Sequence, residues 1–70
     1  MEDTKDSSPK LLRLRAVTNR TGLSKSTIYA LMKTGAFPLP VHLGRRLVRW
    51  VATEIDAWIL ARAARRGLDV

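Results

Sequence analysis

The chain has no cysteine and only one histidine, His42. Without thiols or a second imidazole it can form neither a disulfide nor any of the usual zinc-ligand sets. It also lacks a glycine-rich loop that could hold a phosphate group, because its four glycines are isolated. No uncharged run approaches the roughly 20 apolar residues that cross a bilayer. We therefore predict no metal site, no cofactor and no membrane-spanning segment.

The usual residue combinations of enzymes are missing as well. Glu54 and Asp56 stand two residues apart in a predicted helix, so their carboxylates do not face each other. No serine, threonine or tyrosine stands in a recognised motif with a base nearby. We therefore predict no catalytic residues and no enzymatic activity.

Acidic residues are scarce and lie towards the two ends of the chain. The net charge is +7, with 13 lysines and arginines against six acidic residues. Between Lys10 and Thr53 there is no acidic residue, and the basic residues of this segment are Lys10, Arg13, Arg15, Arg20, Lys25, Lys33, Arg45, Arg46 and Arg49. Such a segment repels itself, and duplex DNA is the commonest polyanionic partner that would relieve the repulsion. A basic surface that merely keeps the protein soluble is the alternative.

Seventy residues are enough for one small hydrophobic core and too few for two. Residues 1–10 have almost no apolar side chains and are predicted to form a flexible tail. Residues 11–66 are predicted to form the domain, and residues 67–70 a short C-terminal tail. The first five residues are acidic and polar, unlike a secretory signal, which predicts a cytoplasmic protein.

Two short helices are predicted near the start of the domain. Apolar residues from Leu11 to Val17 lead into a first helix, which Gly22 ends in the left-handed conformation. Ser24 is a good N-cap for a second helix over residues 24–34, and Gly35 closes it. The buried stripe of this second helix has spacings of three and four and contains Ile28, Leu31 and Met32. Two helices joined by so tight a turn with a glycine predict a helix-turn-helix.

A β-hairpin is predicted after the second helix. The prolines within residues 38–40 forbid a helix and favour an extended path. Residues 41–43 and 47–50 are rich in β-branched and aromatic side chains and flank Gly44, Arg45 and Arg46, so they predict two strands and a turn. Such a hairpin beside a helix-turn-helix is a candidate wing.

A third helix is predicted to begin at Thr53. This threonine is a suitable N-cap, and Asp56 three residues later completes an approximate capping box. Glu54 and Asp56 also lie near the positive end of the helix dipole. The buried stripe of the helix contains Ile55, Trp58 and Ile59. We expect Trp50 and Trp58 to pack in the core rather than to stack on unpaired bases.

The second helix and the hairpin carry side chains suited to phosphates and base edges. The predicted contacts of the second, recognition helix are Ser24, Lys25, Ser26, Thr27, Tyr29 and Lys33. The predicted wing contacts, which could bind phosphates or enter a narrow minor groove, are Arg45, Arg46 and Arg49. In the alternative interpretation the serine only caps the helix, the lysines are solvated and the tyrosine packs at the core edge. The wing arginines would then only keep an edge strand from pairing with other chains.

Several runs of residues carry a resemblance to a known family. They are residues 13–17 (RLRAV), residues 21–29 (TGLSKSTIY), residues 35–44 (GAFPLPVHLG), Trp50 and residues 54–58 (EIDAW). In this order they resemble the AlpA family of phage-type transcriptional regulators, which is related to the excisionase and MerR-like winged helices. One departure is the start of the first helix, where Leu14 and Arg15 stand in place of a serine, threonine or aspartate cap.

The resemblance implies a mainly α fold, a small winged helix-turn-helix of about three helices with a short β-hairpin wing. It implies a bacterial cytoplasmic protein, nucleoid-associated when bound, that binds double-stranded DNA sequence-specifically. Its function would be to regulate transcription of prophage or mobile-element genes, such as an integrase gene. Weak self-association or cooperative binding on DNA, and contacts with an integrase or the transcription machinery, are further expectations.

Two other functions are alternatives to transcriptional regulation. One is an excisionase-like factor that bends a recombination site so that an integrase can act. The other is a protein-interaction adaptor, in which exposed apolar residues of the last helix and Leu68 dock on a partner and the basic face is incidental.

Overall fold

The computed structural model describes residues 10–66 of the chain. Within this range the elements follow in the order β1 (Leu11–Leu12), α1 (Leu14–Thr21), α2 (Lys25–Lys33), β2 (Val41–His42), β3 (Val48–Val51) and α3 (Ala52–Ala64). Three helices with a small antiparallel sheet confirm the predicted mainly α, winged helix-turn-helix class. Apart from Lys10, the two predicted tails and Leu68 lie outside the described residues. No helix within residues 10–66 is long and apolar enough to cross a membrane.

The turn between α1 and α2 occupies residues 22–24. Gly22 has a φ of 76°, and its N–H donates to the carbonyl of Thr18 at 2.8 Å. This left-handed conformation costs a residue with a side chain about 1–2 kcal/mol, so glycine is the residue that ends α1 here. The Leu23 N–H then donates to Thr21 Oγ1 at 3.2 Å, and α2 begins two residues later. The predicted glycine turn is confirmed.

The start of α1 differs from the prediction. Leu11 and Leu12 do not lead into the helix but form strand β1, and the helix begins at Leu14. The N-cap position belongs to Arg13, which has an extended backbone and makes no side-chain capping bond. The helix therefore lacks a capping side chain, as predicted, but its N-cap residue stands one position before the predicted one. A strand of two residues has no periodicity of its own, so its conformation depends on the strand it pairs with.

The glycine predicted to close α2, Gly35, follows the C-cap residue Thr34. Gly35 has a φ of 78°, and its N–H donates to the carbonyl of Met32 at 3.1 Å. The next N–H, that of Ala36, donates to the carbonyl of Leu31 at 2.9 Å. These two bonds form a Schellman motif, which satisfies the last carbonyls of the helix.

Strand β3 is the central strand of a three-stranded antiparallel sheet with the order β1-β3-β2. It forms the predicted hairpin with β2, in which Val41 is opposite Arg49 and His42 is opposite Val48. On its other side it pairs with β1, which the sequence did not predict as a strand. The wing is therefore braced by a third strand that precedes the helix-turn-helix in the chain.

Helix α3 begins at Ala52, so the predicted N-cap at Thr53 is wrong. The N-cap residue is Val51, which is also the last residue of β3 and makes no side-chain capping bond. The Ala52 N–H donates to the carbonyl of Lys10 at 2.7 Å. The first N–H groups of a helix have no partner within it, so the backbone just before β1 satisfies one of them where no side chain caps α3.

One core joins the three helices to the central strand. The four largest fully buried side chains come from four different elements and are Val17 in α1, Ile28 in α2, Trp50 in β3 and Ile55 in α3. The remaining buried residues are Leu12, Phe37 and Ala52. Full burial of one large apolar side chain stabilises a fold by about 1.5–3 kcal/mol, so each element depends on this shared centre.

Two tryptophans hold the segment that connects α2 to β2. Trp50 Nε1 donates to the carbonyl of Pro38 at 3.1 Å, and Trp58 Nε1 donates to the carbonyl of Ala36 at 2.7 Å. Phe37 lies between these two carbonyls in the chain and is buried, with its ring edge-on to that of Trp58 at a centroid distance of 4.8 Å. Trp50 is thus a core residue as predicted, and Trp58 is half-buried and packs against the core.

Replacing Gly22 or Gly35 with alanine should lower the free energy of unfolding by about 1 kcal/mol each. Both glycines have positive φ, and no atom lies within 4 Å of an added Cβ, so the loss would come from backbone conformation alone. Urea unfolding followed by circular dichroism measures the change. Gly44→Ala is the matched control, because the new Cβ would lie at an ordinary 3.7 Å from Leu47 Cβ. An equal loss in all three variants would contradict this explanation.

Candidate nucleic-acid interface

Helix α2 turns one stripe to the core and leaves the opposite side exposed. Ile28 is fully buried, and Leu31 and Met32 are half-buried. Residues three, four or seven apart share one side of a helix. On the side opposite the stripe, the exposed residues related in this way are Ser26, Ala30 and Lys33. The exposed side of α2 is therefore available to a ligand and carries a positive charge.

The hydroxyl groups at the start of α2 are largely used by the helix itself. Ser24 Oγ accepts a hydrogen bond from the Thr27 N–H at 3.2 Å and donates to Thr27 Oγ1 at 2.9 Å. Ser26 Oγ lies 3.3 Å from Ser24 Oγ. Ser24 is thus the N-cap that the sequence predicted, and Thr27 is its partner. Lys25 and Ser26 are the first-turn side chains with most freedom to meet a ligand, and both are exposed.

An open groove of about 540 Å³ lies between α2 and the segment of residues 38–40. We call it the Leu39 groove, and its lining residues are Ser26, Tyr29, Ala30, Met32, Lys33 and Leu39. The sequence predicted three of these residues, Ser26, Tyr29 and Lys33, as DNA contacts and Met32 as part of the buried stripe, and it did not single out Ala30 or Leu39. Ala30 stands four residues after Ser26, so helical spacing was a signal for it. Leu39 lies beside α2 only in the tertiary fold, so no local sequence pattern indicated it.

The tip of the wing is closed by one backbone bond. The Leu43 N–H donates to the carbonyl of Leu47 at 2.7 Å, which leaves residues 44–46 as the connecting loop. Arg45 and Arg46 lie in this loop and are exposed. Two guanidinium groups are thus presented at the turn of a thin hairpin, as the sequence predicted.

Arg49 is less available than the two arginines of the loop. It is half-buried in β3, and its Nη1 donates to the carbonyl of the adjacent Val48 at 2.8 Å. A guanidinium group has five donors, so one bond to the backbone does not exhaust it. Arg45 and Arg46 nevertheless extend further into solvent and are the stronger wing candidates.

The carboxylates of the described region are confined to α3. They are Glu54 and Asp56, and Asp56 Oδ1 accepts a bond from Arg20 Nη1 at 2.8 Å. Asp56 is therefore an ion-pair partner of α1 and not part of the predicted capping box, because Val51 is the N-cap of α3. Arg20 is engaged away from α2. Within residues 10–66 no three His, Asp or Glu side chains are grouped as metal ligands, and His42 is exposed. The α2 and wing elements carry positive charge without a counter-charge of their own.

Comparisons with known proteins point to a single family. Residues 10–63 match the family described as prophage CP4-57 regulatory protein (AlpA). The uncharacterized protein ORF88 of Enterobacteria phage P4 is 44% identical over 62 residues, which cover 86% of this chain and 70% of the relative. The DNA-binding transcriptional activator AlpA of Escherichia coli (strain K12) is 36% identical over 62 residues, which cover 80% of this chain and 89% of the relative. No solved structure matches significantly.

Ser24→Ala should lower the free energy of unfolding by about 1 kcal/mol, because the Thr27 N–H loses its acceptor. Ser24→Asp should keep the stability of the unsubstituted chain, because aspartate is an equally good N-cap. Chemical denaturation measures both effects. Ser26→Ala is the matched control and should change the stability by less than about 0.5 kcal/mol, because Ser26 caps no backbone group. Equal losses for the two alanine variants would refute the assignment of the cap.

Proposed function

Because the chain belongs to the AlpA family of prophage regulatory proteins, we propose that it binds double-stranded DNA and regulates transcription of prophage or mobile-element genes. The observation that carries the proposal is the segregation of charge. The exposed sides of α2 and the wing loop hold lysines and arginines, whereas both described carboxylates lie on α3. An integrase gene is the proposed target of regulation, and the bacterial cytoplasm, on the nucleoid, is the proposed site of action.

Helix α2 is the proposed recognition helix. An α-helix fits the major groove of B-form DNA, whose base edges present a distinct pattern for each base pair. In this orientation Lys25 and Lys33 bind phosphates, while Ser26 and Tyr29 reach base edges. Ser24 and Thr27 contribute by fixing the start of the helix, where the first N–H groups attract a phosphate.

The wing supplies a second group of contacts. Arg45 and Arg46 in the loop bind phosphates or enter the adjacent minor groove, where a narrow A·T-rich segment has an enhanced negative potential. Arg49 supports the wing from its base. Phosphate contacts of this kind position a protein on the duplex and supply affinity, while the helix supplies the sequence preference.

The double variant Lys25→Ala/Arg45→Ala should weaken duplex binding at least about a hundredfold, because a hydrogen bond to a charged group contributes about 1.5–3 kcal/mol. For the unsubstituted chain, log K should fall against log salt with a slope near about −5 if about six phosphates are neutralised. The double variant should reduce that slope by about 2. Fluorescence anisotropy with a labelled duplex at several salt concentrations measures both quantities.

The matched control for this experiment removes two charges from the end of α3. Arg65→Ala/Arg66→Ala lowers the net charge by the same amount but changes neither α2 nor the wing. It should leave the affinity within about threefold of the unsubstituted chain, as expected from general electrostatics alone. Equal losses for the two double variants, or a salt-independent affinity, would contradict the proposed interface.

Footprinting on prophage DNA should show protection beside a promoter. A regulator of an integrase gene acts where RNA polymerase begins transcription, so the protected site should lie upstream of that gene. Transcription of the gene in vitro should change with protein concentration. Protection confined to an array of sites within an attachment region, without any effect on transcription, would favour the excisionase-like alternative. A chain that protects no DNA but binds a partner through α3 would favour the adaptor.

A further inference from the structure

The Leu39 groove has a composition that simple phosphate binding does not explain. Its lining is mostly apolar, with the side chains of Tyr29, Ala30, Met32 and Leu39 meeting one lysine and one serine. Leu39 is 64% exposed and Tyr29 39% exposed, although both are large apolar residues. A phosphate oxygen would gain nothing from such a surface, so its occupant must itself offer an apolar group.

The groups around the groove restrict what that occupant can be. Lys33 lines it directly, Lys25 lies on the same helix two turns earlier, and no acidic residue is among its lining residues. A fitting occupant is therefore apolar where it touches the groove and anionic beside it. The major-groove edge of a thymine has this character, because its C5 methyl group projects into the groove between phosphate-bearing strands.

We propose that the Leu39 groove receives the C5 methyl groups of thymines, so that Leu39 and Ala30 determine part of the sequence preference. This inference rests on the proposed binding of duplex DNA through α2. The rings of Pro38 and Pro40 fix the φ angles of those two residues, and Pro40 also keeps the preceding Leu39 out of the helical region. The Trp50 bond to the Pro38 carbonyl holds the segment in place. The leucine is thus presented as a pre-ordered contact, which loses little entropy on binding.

A second copy of this chain is the main competing occupant. The exposed Leu60 of α3, at 69%, could enter an apolar groove. Each copy, however, carries a net charge of +7, and Lys33 lines the groove, so close approach of two copies is opposed by repulsion. DNA carries the opposite charge, so it is favoured over a second copy as the occupant of the groove.

Replacement of thymine by deoxyuridine tests the proposal, because it removes only the methyl group. A binding site is first obtained by selecting random-sequence duplexes with the full chain. Each thymine of the selected site is then replaced in turn, and Kd is measured by fluorescence anisotropy. At least one position should show a Kd about fourfold higher with uracil, since burial of one methyl-sized group contributes about 0.8 kcal/mol.

Leu39→Ala should bring the ratio of the uracil and thymine Kd values at that position close to one, while the duplex is still bound. Leu43→Ala is the matched control, because Leu43 is an equally large, 51% exposed leucine that lies beside the wing loop, outside the groove. It should keep the fourfold ratio.

Two results would overturn the proposal. One is a site in which no thymine can be distinguished from uracil, and the other is a Leu39→Ala variant that keeps the fourfold ratio. If that variant also changes the sedimentation of the free protein, the groove is assigned to self-association. Failure of the proposed function would look different, since the unsubstituted chain would then bind no duplex even at low salt.

Discussion

Two hydrogen bonds from indole nitrogens to the backbone determine the arrangement of the proposed interface. Trp50 in the central strand and Trp58 in α3 donate to carbonyls on either side of the buried Phe37. A buried polar group left without a partner costs about 1–3 kcal/mol, so displacement of this segment would be opposed most strongly at the buried Trp50 and less at the half-buried Trp58. The position of Leu39 and the start of the wing follow from the place where the two indoles hold the chain after Gly35 has ended α2.

Internal hydrogen bonds also decide which polar side chains remain for a ligand. Ser24 is occupied as the cap of α2, Arg20 is paired with Asp56, and Arg49 is bound to its own strand. The Arg20 pair is exposed and contributes at most about 1 kcal/mol, so its main effect is on where charge lies. The cations left on α2 and the wing loop are Lys25, Lys33, Arg45 and Arg46, and all four are exposed.

The sequence predicted the features that depend on local chemistry and missed those that depend on distant partners. Gly22 and Gly35 were identified correctly because a left-handed backbone requires glycine whatever surrounds it. Strand β1 was missed because two leucines become a strand only by pairing with β3. Thr53 was wrongly chosen as a cap because its side chain is suitable, yet the strand leading into α3 places the helix start at Ala52. The cationic residues of the site were visible in the charge pattern, whereas the Leu39 groove was not, since it joins two segments through the tertiary fold.

The composition of α2 limits how much sequence information one copy could read. The strongest discrimination between base pairs, about 1–3 kcal/mol per contact, comes from bidentate bonds, chiefly of arginine or lysine to guanine and of asparagine or glutamine to adenine. Helix α2 contains no arginine, asparagine or glutamine, and on the proposed interface its two lysines are engaged with phosphates. The remaining groups of α2 that can contact base edges are a serine hydroxyl, a tyrosine and apolar surface. Each of them discriminates weakly between base pairs. A single copy would then bind duplexes with ample electrostatic affinity and modest specificity, so selective regulation would require several neighbouring sites or a DNA shape that the wing arginines can recognise.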